Sequence, residues 1–205
     1  MITVDEALAQ VLKLALPVII EQVSLIKAAG RVLAKPVQAT RDQPPFAASS
    51  MDGYALRNVD VAPNAKFNVI GESAAGHGFA QAIGPGETVR IFTGAPVPEA
   101  ADRVIIQEDV SRLDDTITLN ASFDDATYIR PAGADFKAGT NFIAPQVLNP
   151  TDIALLAAMN IATLPVARRP VVALIATGDE LVMPGEAPGP DQIIASNTFG
   201  LAAMI

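Results

Sequence analysis

The sequence predicts an α+β multidomain chain: a helical N-terminal region with an inserted small β-barrel-like domain, followed by the truncated start of an α/β domain. Three observations carry this reading. Apolar residues recur at helical spacing near the start, short β-branched runs take over from about Phe67, and Val171–Ile175 is a continuous apolar run of the kind found in strands buried on both faces. The boundaries follow these changes of period. Residues 1–45 with 130–167 form the helical and linker region, 46–129 the β-rich insert, and 168–205 the start of the α/β domain.

In chain order, Thr3 and Glu6 stand at capping-box spacing at the head of "TVDEALAQVLKLAL". Leu8, Val11, Leu12 and Ala15 share a helical face, and Pro17 stops the helix. "SLIKAAGRVLAKPV" reads as a second short helix ending before Pro36. "RDQPPFAA" is a loop, because Pro44 and Pro45 fix two φ angles and remove two donors. "FNVIG", "TVRIF", "RVIIQ" and "TITLN" read as strands of a small antiparallel sheet or barrel. "NPTDIALLAAMN" is a helix capped by Asn149 or Thr151, with Ile153, Leu156 and Ala157 inward, and "ATLPV" is a short strand. Residues 168–205 are too few for a doubly wound domain, and "GLAAMI" ends within a helical pattern, so the chain reads as a fragment of a longer protein.

Composition narrows the function. Half the residues are hydrophobic and 18% are charged, which suits a packed core. Fourteen Lys and Arg against 22 Asp and Glu leave a formal charge of −8, which argues against a nucleic-acid or anionic-membrane surface. There is no cysteine and a single histidine, His77, so thiolate chemistry and multi-histidine metal sites are excluded. A side-chain metal site must then use oxygen ligands, which favours a hard ion such as Mg²⁺. The N-terminus lacks a signal-peptide pattern, and no apolar run approaches the ~18 residues of a membrane span, so the expected location is cytoplasmic.

Four loops hold candidate functional residues, each with two readings. "ATGDEL" follows the Val171–Ile175 run: Gly178 admits a ligand to the backbone, and Asp179 and Glu180 suit Mg²⁺, or else the stretch is an acidic turn capping a helix. "IFTGAPVPEAAD" is a proline-stiffened loop presenting Thr93, or simply a stiff connection. "SSMDGYA" places Asp52 where a loop meets a strand, or is an Asp-Gly turn with a half-buried Tyr54. "IRPAGADFKAGT" brings Arg130, Asp135 and Lys137 beside an anionic ligand, or is a solvated loop. His77, between glycines, has no companion motif that would make it a general base.

Taken in order, "SSMDGYAL", "IFTGAPVPEAADRVIIQE", "IRPAGADFKAG" and "VALIATGDEL" resemble the molybdopterin molybdotransferases, the family of MoeA and the gephyrin E domain. "AAGRVLA" before the proline-rich loop fits as well, and the resemblance covers nearly the whole chain. It implies molybdenum-cofactor biosynthesis: Mg²⁺-dependent insertion of molybdate into adenylylated molybdopterin with release of AMP. It also implies a four-domain homodimer. The α/β domain begun at 168–205 would be of the molybdopterin-binding type, and the active cleft would lie between it and the partner's β-rich domain.

Matched by motif, the resemblance makes Asp52, Thr93 and Glu180 the catalytic residues, with Asp52 and Glu180 as metal ligands. Gly178, Asp179, Asp135, Ser196 and Asn197 become substrate-binding residues. The chain departs from the family at Ala134, where glutamate is common, and at Ala195, where aspartate is common. The alternative is a non-catalytic molybdopterin-binding or scaffolding module of the same fold.

Overall fold

The computed structural model describes residues 2–14 and 19–205. They fall into two compact units, one from residues 1–19 and 168–205 and the other from 20–167.

The first unit opens with α1 (Val4–Lys13). The Thr3 hydroxyl accepts the Glu6 N–H at 3.2 Å, and the Glu6 carboxylate accepts the Thr3 N–H at 2.8 Å, which completes the expected capping box. The helical spacing of Leu8, Val11 and Leu12 holds, but all three are exposed and α1 buries no residue. Ala15 and Pro17 lie outside the described residues.

Residues 20–167 hold fourteen strands and one α-helix. In order they are β1 (Ile20–Ser24), β2 (Val32–Leu33), β3 (Val37–Gln38), β4 (Ala48–Ser49), β5 (Gly53–Leu56), β6 (Lys66–Ser73) and β7 (Glu87–Ile91). Then follow β8 (Arg103–Ile106), β9 (Val110–Leu113), β10 (Thr116–Leu119), β11 (Ile129–Arg130), β12 (Asn141–Phe142), β13 (Gln146–Val147), α2 (Pro150–Ala158) and β14 (Thr163–Ala167).

The expected second helix is absent, so residues 20–45 are not helical. "SLIKAAGRVLAKPV" gives one 3₁₀ turn, Leu25–Lys27, and then β2 and β3. Gly30 takes φ 72°, which ends the turn, and Leu33 is buried between β13 and β14 in the sheet order β1-β14-β2-β13. Tertiary pairing thus overrides local helical spacing. Leu33, Leu148, Leu156, Met159, Leu164 and Val166 form the centre of this core. Burying each such side chain contributes about 1.5–3 kcal/mol. On α2 the inward residues are Ile153 and Leu156, followed by Met159 at the C-cap, whereas Ala157 is exposed. The cap is Asn149, with Asp152 completing a capping box.

The four strands read from sequence are present as β6, β7, β8 and β10, and they join β5 and β9 in a six-stranded sheet, order β8-β5-β7-β6-β10-β9. Its two ends do not pair among the described residues, so it is a half-barrel. It is mixed rather than antiparallel, because β6 and β7 run parallel. Residues 74–86 connect them, long enough for the crossover that parallel strands require. Tyr54, Leu56 and Ile105 pack on one face of the sheet, and Ala55, Val89 and Val104 on the other. All four residues of β5 are therefore buried, which makes it the best-fixed strand of the sheet.

In residues 168–205, β15 (Leu181–Val182) pairs in parallel with β16 (Ile193–Ile194), and α3 (Asn197–Met204) follows. Val171–Ile175 is not the expected buried strand. It has no regular structure, and Val171 and Ile175 are 93% and 82% exposed. A strand of that type needs a partner along each edge and a layer over each face. Among the described residues nothing pairs with this run.

Candidate functional site

The ladder of β5 and β7 assembles the first part of the site. They are antiparallel with Gly53 opposite Ile91, so the residue before β5 and the residues after β7 emerge at the same end. Asp52 Oδ1 there accepts both the Thr93 N–H and the Thr93 hydroxyl, each at 2.8 Å. On its other side β5 pairs with β8, and the Gln107 N–H donates to the Asp52 carbonyl at 3.1 Å. Asp52 is thus fixed through main chain and side chain together. Its Oδ2 receives no hydrogen bond from the described residues.

Both Thr93 bonds go to the ionised carboxylate. The Thr93 amide first and then its hydroxyl hold the Asp52 carboxyl below the usual aspartate range; desolvation opposes them, and the charge of Arg90 adds the smallest lowering effect.

The loop carrying Thr93 is pinned along its length. The Gly94 N–H donates to Ser49 O at 2.8 Å, the Val97 N–H to Ala47 O at 2.8 Å, and the Ser73 hydroxyl to Pro96 O at 2.7 Å. Gly94 has φ 81°, a conformation that favours glycine. The segment before Asp52 is equally held: the buried Ser49 hydroxyl donates to Met51 O at 2.6 Å. The Asp-Gly dipeptide is therefore the entry to a buried strand, and Tyr54 is 4% exposed rather than half-buried.

The segment "IRPAGADFKAGT" reaches the same neighbourhood through β11, which pairs with β4. Its backbone docks on the proline loop, with the Asp135 N–H on Gln43 O at 2.8 Å and the Gly133 N–H on Pro44 O at 2.8 Å. The Asp135 carboxylate is engaged by the Arg130 guanidinium at 2.6 Å. Both side chains are about half exposed, so the pair adds little stability. Lys137 is exposed, and so is His77, which pairs with Ala74 to close a tight turn through Ala75 and Gly76.

The other sequence-derived residues lie in the unit formed by residues 1–19 and 168–205. A cavity of about 280 Å³ is lined by Thr177, Ser196, Asn197 and Thr198 with Ile193 and Leu201 beside them. Asp179 and Glu180 are exposed on the preceding turn. Gly178, at φ 147°, leaves room that the Glu180 carboxylate fills, since a Cβ there would lie 2.4 Å from a Glu180 oxygen. The Glu180 carbonyl is locked by the Ile193 N–H at 2.7 Å, and its carboxylate makes no hydrogen bond within the described residues.

Among the described residues no group of three or more His, Asp or Glu could hold a metal ion. Mg²⁺ does not need one, because it is commonly held by one or two carboxylates, waters and substrate phosphates. An ionised Asp52 with one oxygen fixed and the other unoccupied by protein donors fits that donor set. Sequence reasoning missed Arg90 and Gln107, which surround Asp52. Only the strand register brings them there.

The chain matches the model of the MoeA N-terminal region (domain I and II) over residues 2–160. It is 39% identical over 191 residues to a molybdopterin molybdenumtransferase of Nostoc sp., covering 90% of this chain and 44% of that protein. It is 35% identical over 208 residues to one of Haemophilus influenzae, covering 100% of this chain and 52% of that protein. A crystal structure of a molybdopterin biosynthesis MoeA protein of Pyrococcus horikoshii superposes with a TM-score of 0.88 at 33% identity, covering 99% of this chain and 54% of that one. The chain therefore spans about half the length of the curated relatives it matches.

Proposed function

Because this chain belongs to the MoeA family through its N-terminal region of domains I and II, we propose that it supplies one part of the active site of a molybdopterin molybdotransferase. That enzyme inserts molybdate into adenylylated molybdopterin, releases AMP and depends on Mg²⁺. The observation that carries this is the pinning of Asp52 by Thr93, which leaves one oriented carboxylate oxygen available at the end of the β5–β7 ladder.

Both substrates are anions, and the chain itself has a formal charge of −8. Asp52 and Glu180, taken separately in their own units, are each a candidate carboxylate ligand for Mg²⁺, which when bound would supply charge neutralisation and polarise the phosphoanhydride. Thr93 keeps Asp52 ionised and aimed. Arg130, paired with Asp135, can turn a guanidinium edge to phosphate or molybdate oxygens. Thr177, Ser196 and Asn197 line a polar cavity wall suited to hydrogen bonding the pterin or its phosphate. We read the intact enzyme as a cytoplasmic homodimer, with no role for nucleic acid or membrane. Among the described residues no helix is long and apolar enough to cross a membrane.

The test is AMP release from adenylylated molybdopterin by the intact protein, with molybdate and Mg²⁺ present. The Asp52→Ala variant should lose roughly 100-fold or more in rate, the scale of a lost positioned catalytic group. Release within threefold of wild type would overturn the reading.

A further inference from the structure

Arg90 is the fourth of the five residues of β7, opposite Tyr54 of β5, and its contacts reach three segments that adjoin Asp52 and Thr93. Its guanidinium lies over the Tyr54 ring at 5.1 Å and over the Phe92 ring at 4.8 Å. Nη1 donates to the Gly53 carbonyl at 3.1 Å, and Nη2 to Gln107 Oε1 at 2.6 Å. Gly53 follows Asp52, Phe92 precedes Thr93, and the Gln107 N–H holds the Asp52 carbonyl. Among the described residues Arg90 forms no ion pair, so its charge is not consumed by a carboxylate within the protein. Glu72 faces it from β6 in the strand register, and Glu108 binds the far side of the Gln107 amide.

We propose that Arg90 is the positioning residue of this site, a planar clamp that joins the arm carrying Asp52 to the arm carrying Thr93. Only arginine has the geometry. A guanidinium can stack between two rings while its edge donates to a carbonyl and an amide oxygen at once. A lysine keeps the charge, but it has a single nitrogen and no planar face. The inference rests on reading Asp52 as the working carboxylate, and it deepens that reading by naming what holds the carboxylate in place.

The test is an NMR pH titration of the 205-residue chain, following the Thr93 amide and the Asp52 carboxyl carbon in wild type, Arg90→Lys and Arg90→Met. In wild type the Thr93 amide reports the ionisation of Asp52 because it donates to it. The clamp predicts that both variants titrate at higher pH, with a reduced Thr93 response, while circular dichroism shows the fold retained. The lysine variant decides. If it titrates as wild type does, Arg90 acts only through charge or only through general stability, and the proposal fails. If the methionine variant unfolds, the lysine variant still gives this answer. The intact Arg90→Lys enzyme should also lose about 10–100-fold in AMP release, the usual cost of an outer-shell change. Failure of the titration prediction leaves the AMP-release test of Asp52 standing, so the two readings fail separately.

Discussion

Asp52 and Thr93 are 41 residues apart and meet because two strands end at the same edge of a ladder. Their contact makes a pH prediction with a definite sign. The folded state lowers the Asp52 pKa, so this group's contribution to stability is complete above the ordinary aspartate value of about 4 and is lost as pH falls through the lowered value. Thermal unfolding followed from pH 6 down to 2 should therefore show a loss below about pH 4 that Asp52→Asn partly removes. A Thr93→Val variant, which deletes the hydroxyl donor and keeps the amide, should raise the Asp52 titration point by NMR. An unchanged midpoint would show that the hydroxyl bond does not form in solution. The sequence made Asp52 and Thr93 legible as residue types in loops. It could not show that they bond to each other, because that depends on the pairing of Gly53 with Ile91. Arg90 was invisible for the same reason: an arginine inside "TVRIF" looks like any outward strand residue until its neighbours are known.

At the scale of elements, β5 decides how firmly the site is built. It is buried on both faces and paired on both edges, and Gly53 lets it lie against β8. A Cβ on Gly53 would lie 2.1 Å from the Ile105 carbonyl oxygen, which is backbone and cannot swing away. Gly53→Ala should destabilise the unit by about 1–3 kcal/mol, as overpacking does, and should weaken the Thr93 amide response to Asp52. Chemical denaturation together with the NMR titration checks both effects. Far from the site, Asn149→Ala removes the α2 cap and should cost about 1 kcal/mol without moving the Asp52 titration. This contrast separates positioning from general stability. Capped helices were readable from local chemistry, as Thr3–Glu6 and Asn149–Asp152 show. Elements decided by distant partners were not. Val32–Leu33 joined a sheet through residues more than a hundred positions away, and Val171–Ile175 had the composition of a buried strand but no partner among the described residues.

For the whole molecule, the proposed function would bring two anionic substrates to a chain of net charge −8, and that charge must then be offset locally. Oriented amides, Arg130 and a cation held by carboxylates are the available means. Chelation of Mg²⁺ should therefore abolish AMP release by the intact protein, and added Mg²⁺ should restore it. Activity that persists in excess chelator would remove the metal from the account. The most direct test of the central claim is the isosteric Asp52→Asn variant of the intact enzyme in a single-turnover AMP-release assay. Asparagine keeps an oxygen for Thr93 while removing the charge and replacing the free Oδ2 with an NH₂ group. The account predicts substrate binding close to wild type with chemistry slowed about 100-fold or more. Chemistry at the wild-type rate would contradict it, and would reduce the Asp52–Thr93 contact to a strand-end clasp.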